Sequence, residues 1–395
     1  MSNISTRPLA NPILILSDAP ESTTGLGRVC RDLSTILCTM PEFRIGTLGR
    51  GAVGSAKFPW SQFSFPESAQ WGEDYIEQVW KNFSHGQPGV IFSNWDASRL
   101  HWFAQPHTIV ARYASLAKFL GDGRDFAKWG YFPVDSTGIV EDRLPVGAQS
   151  AVDGFDRVLA ASQWGCDVLK AGGTRNPDWL PHGYFQSAFY TDRLLLNELD
   201  TATVTVGCNM SNQARKDWPV AFATAALLKK KYGNKFKFWC HTDRPIGYWN
   251  LLALAFEYDV NDCTVITTDL TDRELCNWYN SCQCTILPSS GEGFGYPIVE
   301  SLACGTACVV TDYAAGPELV EESNRISPVT YRIDTMHNVR RAVITPYGFA
   351  RRVEAECQLK DVDPVGRAEY LASTVEHLEW DNLGGLWREW FRKGL

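Results

Sequence analysis

The sequence has no stretch of 18 uninterrupted apolar residues, and its first sixteen residues lack the basic start and long apolar run of a secretory leader. Both features set the expectation of a cytoplasmic protein with no transmembrane segment. A basic excess is missing too. The formal charge is −8, and residues 1–185 carry 16 Lys+Arg against 18 Asp+Glu, which leaves −2 in that part and −6 in the remainder. Binding to nucleic acid or anionic lipid by bulk charge is thereby excluded, while a local basic patch stays compatible with the average. The first half also shows no basic amphipathic helix of the membrane-surface kind. Twelve cysteines are present, among them Cys282 and Cys284, Cys304 and Cys308, yet no companion Cys/His set stands at zinc-ligand spacing. Their apolar surroundings mark them as buried thiols.

What is present points to a two-domain globular protein. A chain of 395 residues exceeds one ordinary core and suits two domains of roughly 150–200 residues with a cleft between them. Ile13-Leu-Ile-Leu16 is a short apolar run, followed by Thr24-Gly-Leu-Gly-Arg28 and a helical pattern from Val29 to Met40, a strand, glycine loop and helix in succession. Similar runs recur at 89–93, 129–133 and 157–161. After a break at Leu180-Pro-His-Gly-Tyr184, a second series starts at 203–207 and continues at 235–239, 264–267, 284–287 and 307–310. Strands alternating with helices predict an α/β chain with parallel sheets. The boundary is expected between 185 and 200, with domains at 1–190 and 200–374. A Trp-rich terminal helix over 375–395, carrying Trp380, Trp387 and Trp390, is expected to recross to the first domain.

The chemistry concentrates in Leu287-Pro-Ser-Ser-Gly-Glu-Gly-Phe-Gly-Tyr-Pro-Ile-Val-Glu300, which reads as strand, glycine loop and helix. Pro297 suits a helix start, so Gly293, Phe294, Gly295 and Tyr296 lie where backbone amides and the helix dipole can hold a diphosphate or sugar oxygens. Glu300 is expected in the first helical turn, accepting ribose hydroxyls, and Glu292 on the loop is expected to reach a transferred sugar. Paired glutamates alone are equally compatible with a helix-start carboxylate and a solvated one.

The longer segment Glu292-Gly-Phe-Gly-Tyr-Pro-Ile-Val-Glu300, followed by Ser-Leu-Ala-Cys-Gly-Thr306, resembles the E-x7-E signature of glycosyltransferase family 4. That resemblance implies the GT-B fold, two Rossmann-like domains with parallel sheets facing across a cleft. It also implies a UDP- or GDP-type nucleotide-sugar donor held mainly by the second domain, and transfer with retention of configuration. Gly25 and Gly27, the segment Ala161-Ser-Gln-Trp-Gly165 and Pro181-His-Gly183 stand in the expected order. Arg215 and Lys216 match the family's basic pair, whose role is to offset charge gathering on the departing diphosphate. No separate cofactor and no metal are expected. Asp361-Val-Asp363 reads as a solvated loop, because it follows the main strand series.

The resemblance weakens on the acceptor side. Family members use a histidine of the first domain near the transferred sugar, whereas this sequence offers Ser93-Asn-Trp-Asp96 and Tyr131-Phe-Pro-Val-Asp135. Asp135 is read either as an acceptor-binding or proton-accepting carboxylate or as an Asx cap. Asp18 and Asp96 are cleft or turn-capping candidates, and His182 is the cleft candidate among His101, His107, His182 and His241. The acceptor hydroxyl is open among a glycan, a lipid-linked sugar, a small metabolite and a hydroxymethylated DNA base. Aromatic and basic residues interleave at His101, Trp102, Phe103, Arg112, Tyr113, Lys118, Phe119, Arg124, Lys128 and Trp129, either as a groove for DNA or as core aromatics with snorkelling bases. Two further functions stay open: a nucleotide-sugar epimerase, and a catalytically silent nucleotide-sugar-binding protein.

Overall fold

The computed structural model describes residues 10–51, 56–105, 114–140, 142–193 and 203–395. His107, Arg112 and Tyr113 lie outside them, as does the later part of the expected domain boundary.

Ile13, Leu14, Ile15 and Leu16 are wholly buried, as a strand covered on both faces must be. They belong to β1 (Asn11–Asp18), which joins β2 (Phe43–Arg50), β3 (Ser61–Phe65), β4 (Gly89–Asn94), β5 (Phe126–Phe132), β6 (Arg157–Ala160) and β7 (Asp178–Trp179). These seven strands form one parallel sheet in the order β3-β2-β1-β4-β5-β6-β7. The second domain repeats the design with β8 (Val204–Asn209), β9 (Phe236–His241), β10 (Thr264–Thr267), β11 (Cys284–Leu287), β12 (Ala307–Thr311) and β13 (Arg325–Ile326). Its parallel order is β10-β9-β8-β11-β12-β13. Strand order reverses between β1 and β4 in one sheet and between β8 and β11 in the other, and such reversals open a crevice at the carboxyl ends of the strands.

Three features depart from the sequence expectations. Strands β2 and β3 extend the first sheet where no strand was foreseen, and a hairpin of β14 (Thr330–Asp334) and β15 (Val339–Val343) follows β13. The hairpin reaches the first domain: Val339 forms a bridge with Gly138, and the Arg340 amide donates to the Thr137 carbonyl at 2.9 Å. The C-terminal segment is not one helix from 375. Helix Pro364–Val375 ends, a single 3₁₀ turn covers Glu376–Leu378, and a new helix runs Trp380–Gly394. The break has a cause. Glu379 is extended where the chain crosses between domains, and Tyr184 N–H donates to Leu378 O at 3.1 Å while Trp380 N–H donates to Tyr184 O at 3.0 Å.

The last helix lies on the first sheet. Phe391 packs on Phe92 at 5.3 Å between ring centroids and Trp390 on Trp129 at 5.1 Å, with the Arg157 guanidinium 3.8 Å from the Trp390 ring centre. Gly183 in the outgoing crossing has no room for a side chain, since an added Cβ would stand 2.5 Å from the Trp380 ring. All twelve cysteines are free thiols, ten of them buried.

Candidate functional site

Lys216 and Arg215 follow β8 in a short turn, and Glu292 follows β11 in the glycine loop, so the reversal of strand order brings them face to face. Lys216 pairs with one oxygen of Glu292, and Arg215 Nη1 reaches the other at 3.1 Å. Arg215 also donates to the Gly291 carbonyl at 2.9 Å and stands 3.3 Å from the Asp135 carboxylate of the first domain. Asp135 is held from its other side by Arg341 at 3.1 Å. The result is one chain of alternating charge, Lys216, Glu292, Arg215, Asp135, Arg341 and Asp334, with three cations against three carboxylates. Two of its cations, Arg215 and Lys216, stand side by side at the glycine loop, the arrangement that suits a phosphate-bearing ligand.

Burial in the cleft pushes the Glu292 carboxyl upward, but Lys216 and Arg215 together outweigh it and hold the pKa at about 2. Burial, aided by Arg215, draws Lys216 down to about 8. Asp135 also ends below the ordinary carboxylate range, because Arg341 and Arg215 overcome its desolvation. It caps no helix. Locked between two guanidiniums, it is a poor proton acceptor, and its geometry is that of an ion-pair link between domains rather than an Asx cap.

The glycines let this loop touch the opposite domain. A Cβ on Gly291 would lie 2.1 Å from the Asp135 carbonyl oxygen, and one on Gly293 would lie 2.7 Å from Pro133. Gly295 has φ of 103°, the left-handed region natural to glycine, and precedes helix Tyr296–Ala303. Glu300 is therefore the fifth residue of that helix and lies beyond its first turn, where it was expected. Side chains, not helix-end amides, hold its carboxylate: Arg28 pairs with one oxygen, and Tyr279 donates its hydroxyl to the other at 2.8 Å. Arg28 also reaches Asp272 at 2.7 Å. Burial raises the Glu300 pKa against the pull of Arg28.

Phe294 and Tyr296 face His182 rather than solvent. The His182 ring lies 5.2 Å from Tyr296 in a stacked arrangement and 4.6 Å from Phe294 edge-on. Burial draws His182 down to about 3, so it is neutral. Tyr131 donates its hydroxyl to Leu180 O at 2.8 Å, which makes His182 Nδ1, 2.7 Å away, the donor to that hydroxyl. His182 is thus a packed residue at the crossing rather than an acceptor ligand in the open cleft.

Gly25 opens helix Gly25–Cys38, and a Cβ there would stand 4.0 Å from the Tyr296 ring. Gly27 is required by packing, since a Cβ would meet Ala19 O at 2.7 Å. Asp18 anchors this loop, accepting from the Thr24 hydroxyl at 2.7 Å and from Trp95 Nε1 at 3.3 Å. Asp96 pairs only with Arg99, at 3.2 Å, and its side chain keeps 43% of its surface exposed. Partial burial, with Asp135 and Asp18 nearby, pushes its pKa up against the pull of Arg99 and Arg215.

Of the aromatic and basic residues considered as a DNA groove, five are packed or paired. Phe103 is buried with Lys128 over its ring at 5.4 Å, Trp129 lies beneath the C-terminal helix, Phe119 packs on Phe126, and Arg124 pairs with Asp156 at 2.6 Å. Phe103 and Trp129 are thus core rings, and Arg124 is a paired base. Among the described residues, no three His, Cys, Asp or Glu side chains are grouped to hold a metal ion. Asp363 instead caps the next helix, accepting from Gly366 N–H at 2.9 Å. Sequence reasoning missed Arg28, Tyr279 and Arg341. Arg28 carried a signal, its place directly after the Gly25 to Gly27 loop.

Residues 202–335 match the family model described as Glycosyl transferases group 1. The serotype-specific mannosyltransferase WbdA of Escherichia coli is 30% identical over 132 residues, a stretch covering 33% of this chain and only 16% of the relative's length. Sucrose-phosphate synthase from Thermosynechococcus elongatus superposes with a TM-score of 0.72 at 14% identity, covering 97% of this chain and 99% of that one. HepE of Anabaena, solved in complex with UDP and glucose, superposes with a TM-score of 0.68 at 13% identity, covering 97% and 100%. The chain therefore has the GT-B fold, and its match to Glycosyl transferases group 1 lies in the second domain.

Proposed function

We propose that the protein transfers a sugar from a nucleoside-diphosphate sugar to a hydroxyl acceptor, with retention at the anomeric carbon. One observation carries the reading: Arg215 and Lys216 converge on Glu292 at the head of the glycine loop, at the β8/β11 reversal of strand order. HepE, solved with UDP and glucose, shares the fold, which supports a donor of the UDP or GDP type.

In this reading Arg215 and Lys216 bind the diphosphate, and Glu300 takes the ribose hydroxyls after exchanging its contact with Arg28. The bond from the anomeric carbon to the diphosphate oxygen breaks, and the electron pair leaves with the nucleoside diphosphate. The acceptor oxygen bonds to the same carbon from the same face, and its proton passes to the departing phosphate oxygen. Preorganised cations favour this step because they meet charge that grows in the transition state. Retention without a covalent intermediate fits Glu292, whose two oxygens are both committed to cations. Asp96, the most exposed of the three acceptor-side candidates Asp18, Asp96 and Asp135, orients the acceptor hydroxyl.

The test is a melting-temperature screen of UDP, GDP and other nucleoside diphosphates, followed by mass spectrometry of the matching nucleotide sugar with acceptor pools. A stabilising diphosphate and a sugar-sized mass gain on an acceptor are expected. An altered nucleotide sugar formed with no acceptor present would favour an epimerase, and tight nucleotide binding with no turnover would favour a silent binding protein.

A further inference from the structure

We propose that a second cavity at the domain junction, beside the charge chain, is a binding subsite for a sugar unit of a glycan acceptor. This rests on the glycosyl-transfer reading above and names the acceptor class for it. The cavity holds about 630 Å³ and is lined from the first domain by Thr137 and Trp164 and from the second by Asp312, Tyr313, Tyr331 and Arg340. That volume falls within the roughly 300–1,000 Å³ of small-molecule sites.

The lining has the mixture a sugar requires. Pyranose rings present apolar C–H patches and a rim of hydroxyls, and they are met by aromatic rings together with side chains that donate and accept. Here Trp164 and Tyr313 lie 5.8 Å apart between centroids, Tyr313 and Tyr331 5.3 Å apart, and the Arg340 guanidinium sits 4.4 Å from the Tyr331 ring centre. Carboxylate and guanidinium occur in the same wall, which disfavours a highly charged ligand of either sign and accommodates a neutral polyol.

The walls are held in place before any ligand arrives. Tyr313 accepts from Thr137 N–H at 3.2 Å and donates to Arg340 O at 3.2 Å, so its ring is fixed by both domains. Glu318 accepts from Gln163 N–H at 3.1 Å and Trp164 N–H at 2.5 Å, which ties the Trp164 helix start to the second domain.

The cavity is also joined to the reacting end. Successive residues of a strand point to opposite faces. On β15, Arg340 lines the cavity while Arg341 holds Asp135 in the charge chain. Beyond Tyr313, Ala314 is held at φ of 61° and Ala315 N–H donates to Glu292 O at 3.0 Å. A non-glycine residue in the left-handed region is strained, and here it carries the wall directly onto the Glu292 loop. The hairpin β14–β15 thereby becomes acceptor machinery supplied by the second domain.

Saturation-transfer NMR with free di- to tetrasaccharides of glucose, galactose and mannose tests the proposal on wild type, Tyr331→Ala and Trp164→Ala, with UDP and GDP melting shifts recorded on each protein. Tyr331 is 40% exposed and lies outside the buried core, and Trp164→Ala probes the opposite wall. The expected result is saccharide binding to wild type, weakened at least tenfold in both variants, with the nucleotide shift unchanged. Equal saccharide binding by wild type and variants overturns the subsite, as does absence of saccharide binding beside an intact nucleotide shift. Loss of any nucleotide shift in wild type overturns the glycosyl-transfer reading and the subsite with it.

Discussion

Lys216 and Arg215 share one carboxylate, so neither contributes a freely solvated charge. In the proposed role, Lys216→Ala removes a preorganised cation from the diphosphate, and kcat should fall about 10²–10³-fold. Wild-type turnover in that variant would remove Lys216 from the donor site. Its pKa of about 8 adds a pH signature. The cationic form is lost as pH rises through that value, so kcat/KM for the donor should decline above about pH 8, and Lys216→Arg should move that limb to higher pH. Glu292 behaves oppositely. Its pKa is depressed from 4.5 to about 2, so its stabilising contribution is complete above about 4.5 and disappears as pH falls through about 2. Urea midpoints measured between pH 5 and 2 should therefore drop less for Glu292→Gln than for wild type. At this scale much of the site was legible in the sequence. Glu292, Arg215 and Lys216 sit on loops after strands, and chain order alone sent them to one crevice edge. Tyr279 and Arg341 were not legible, and Arg28 was marked only by its place after the glycine loop, because their partners lie 21, 206 and 272 positions away and only the folded chain brings them together.

Glycine loops are the elements that turn two sheets into one site. At Gly291 the loop runs so close to Asp135 that a single methyl group would meet a backbone oxygen at 2.1 Å. Gly291→Ala should wedge the loop off the first domain, break the Arg215 to Asp135 contact and lower kcat at least about tenfold, with the far-UV circular dichroism spectrum unchanged. Activity equal to wild type would show that this docking is dispensable. The parallel strands were readable as continuous apolar runs such as Ile13–Leu16, buried on both faces. The hairpin was harder to see, because Tyr331 and Ile333 alternate with polar residues on a half-exposed ribbon. The terminal helix was foreseen as starting at 375, although Trp380, Trp387 and Trp390 all lie after the break; Glu379 turns extended to satisfy crossing-strand hydrogen bonds that leave no mark on spacing.

For the whole molecule, the second-domain sequence ends by closing the first domain's core. Trp387 is wholly buried, lying 5.2 Å from the Tyr131 ring and 6.4 Å from Phe92. Trp387→Ala should cost about 3–5 kcal/mol, seen as a lower urea midpoint; a midpoint like wild type would mean that the helix adds little to the first domain. The same arrangement restricts how the cleft can open. The outgoing crossing at Tyr184 and the returning crossing at Leu378–Trp380 are laced side by side by two hydrogen bonds. Two parallel ties at one edge act like the pin of a door. They permit swing about the line joining them and resist sliding or twisting, so each opening of the cleft returns Arg215 and the Gly291 loop to Asp135 in the same register.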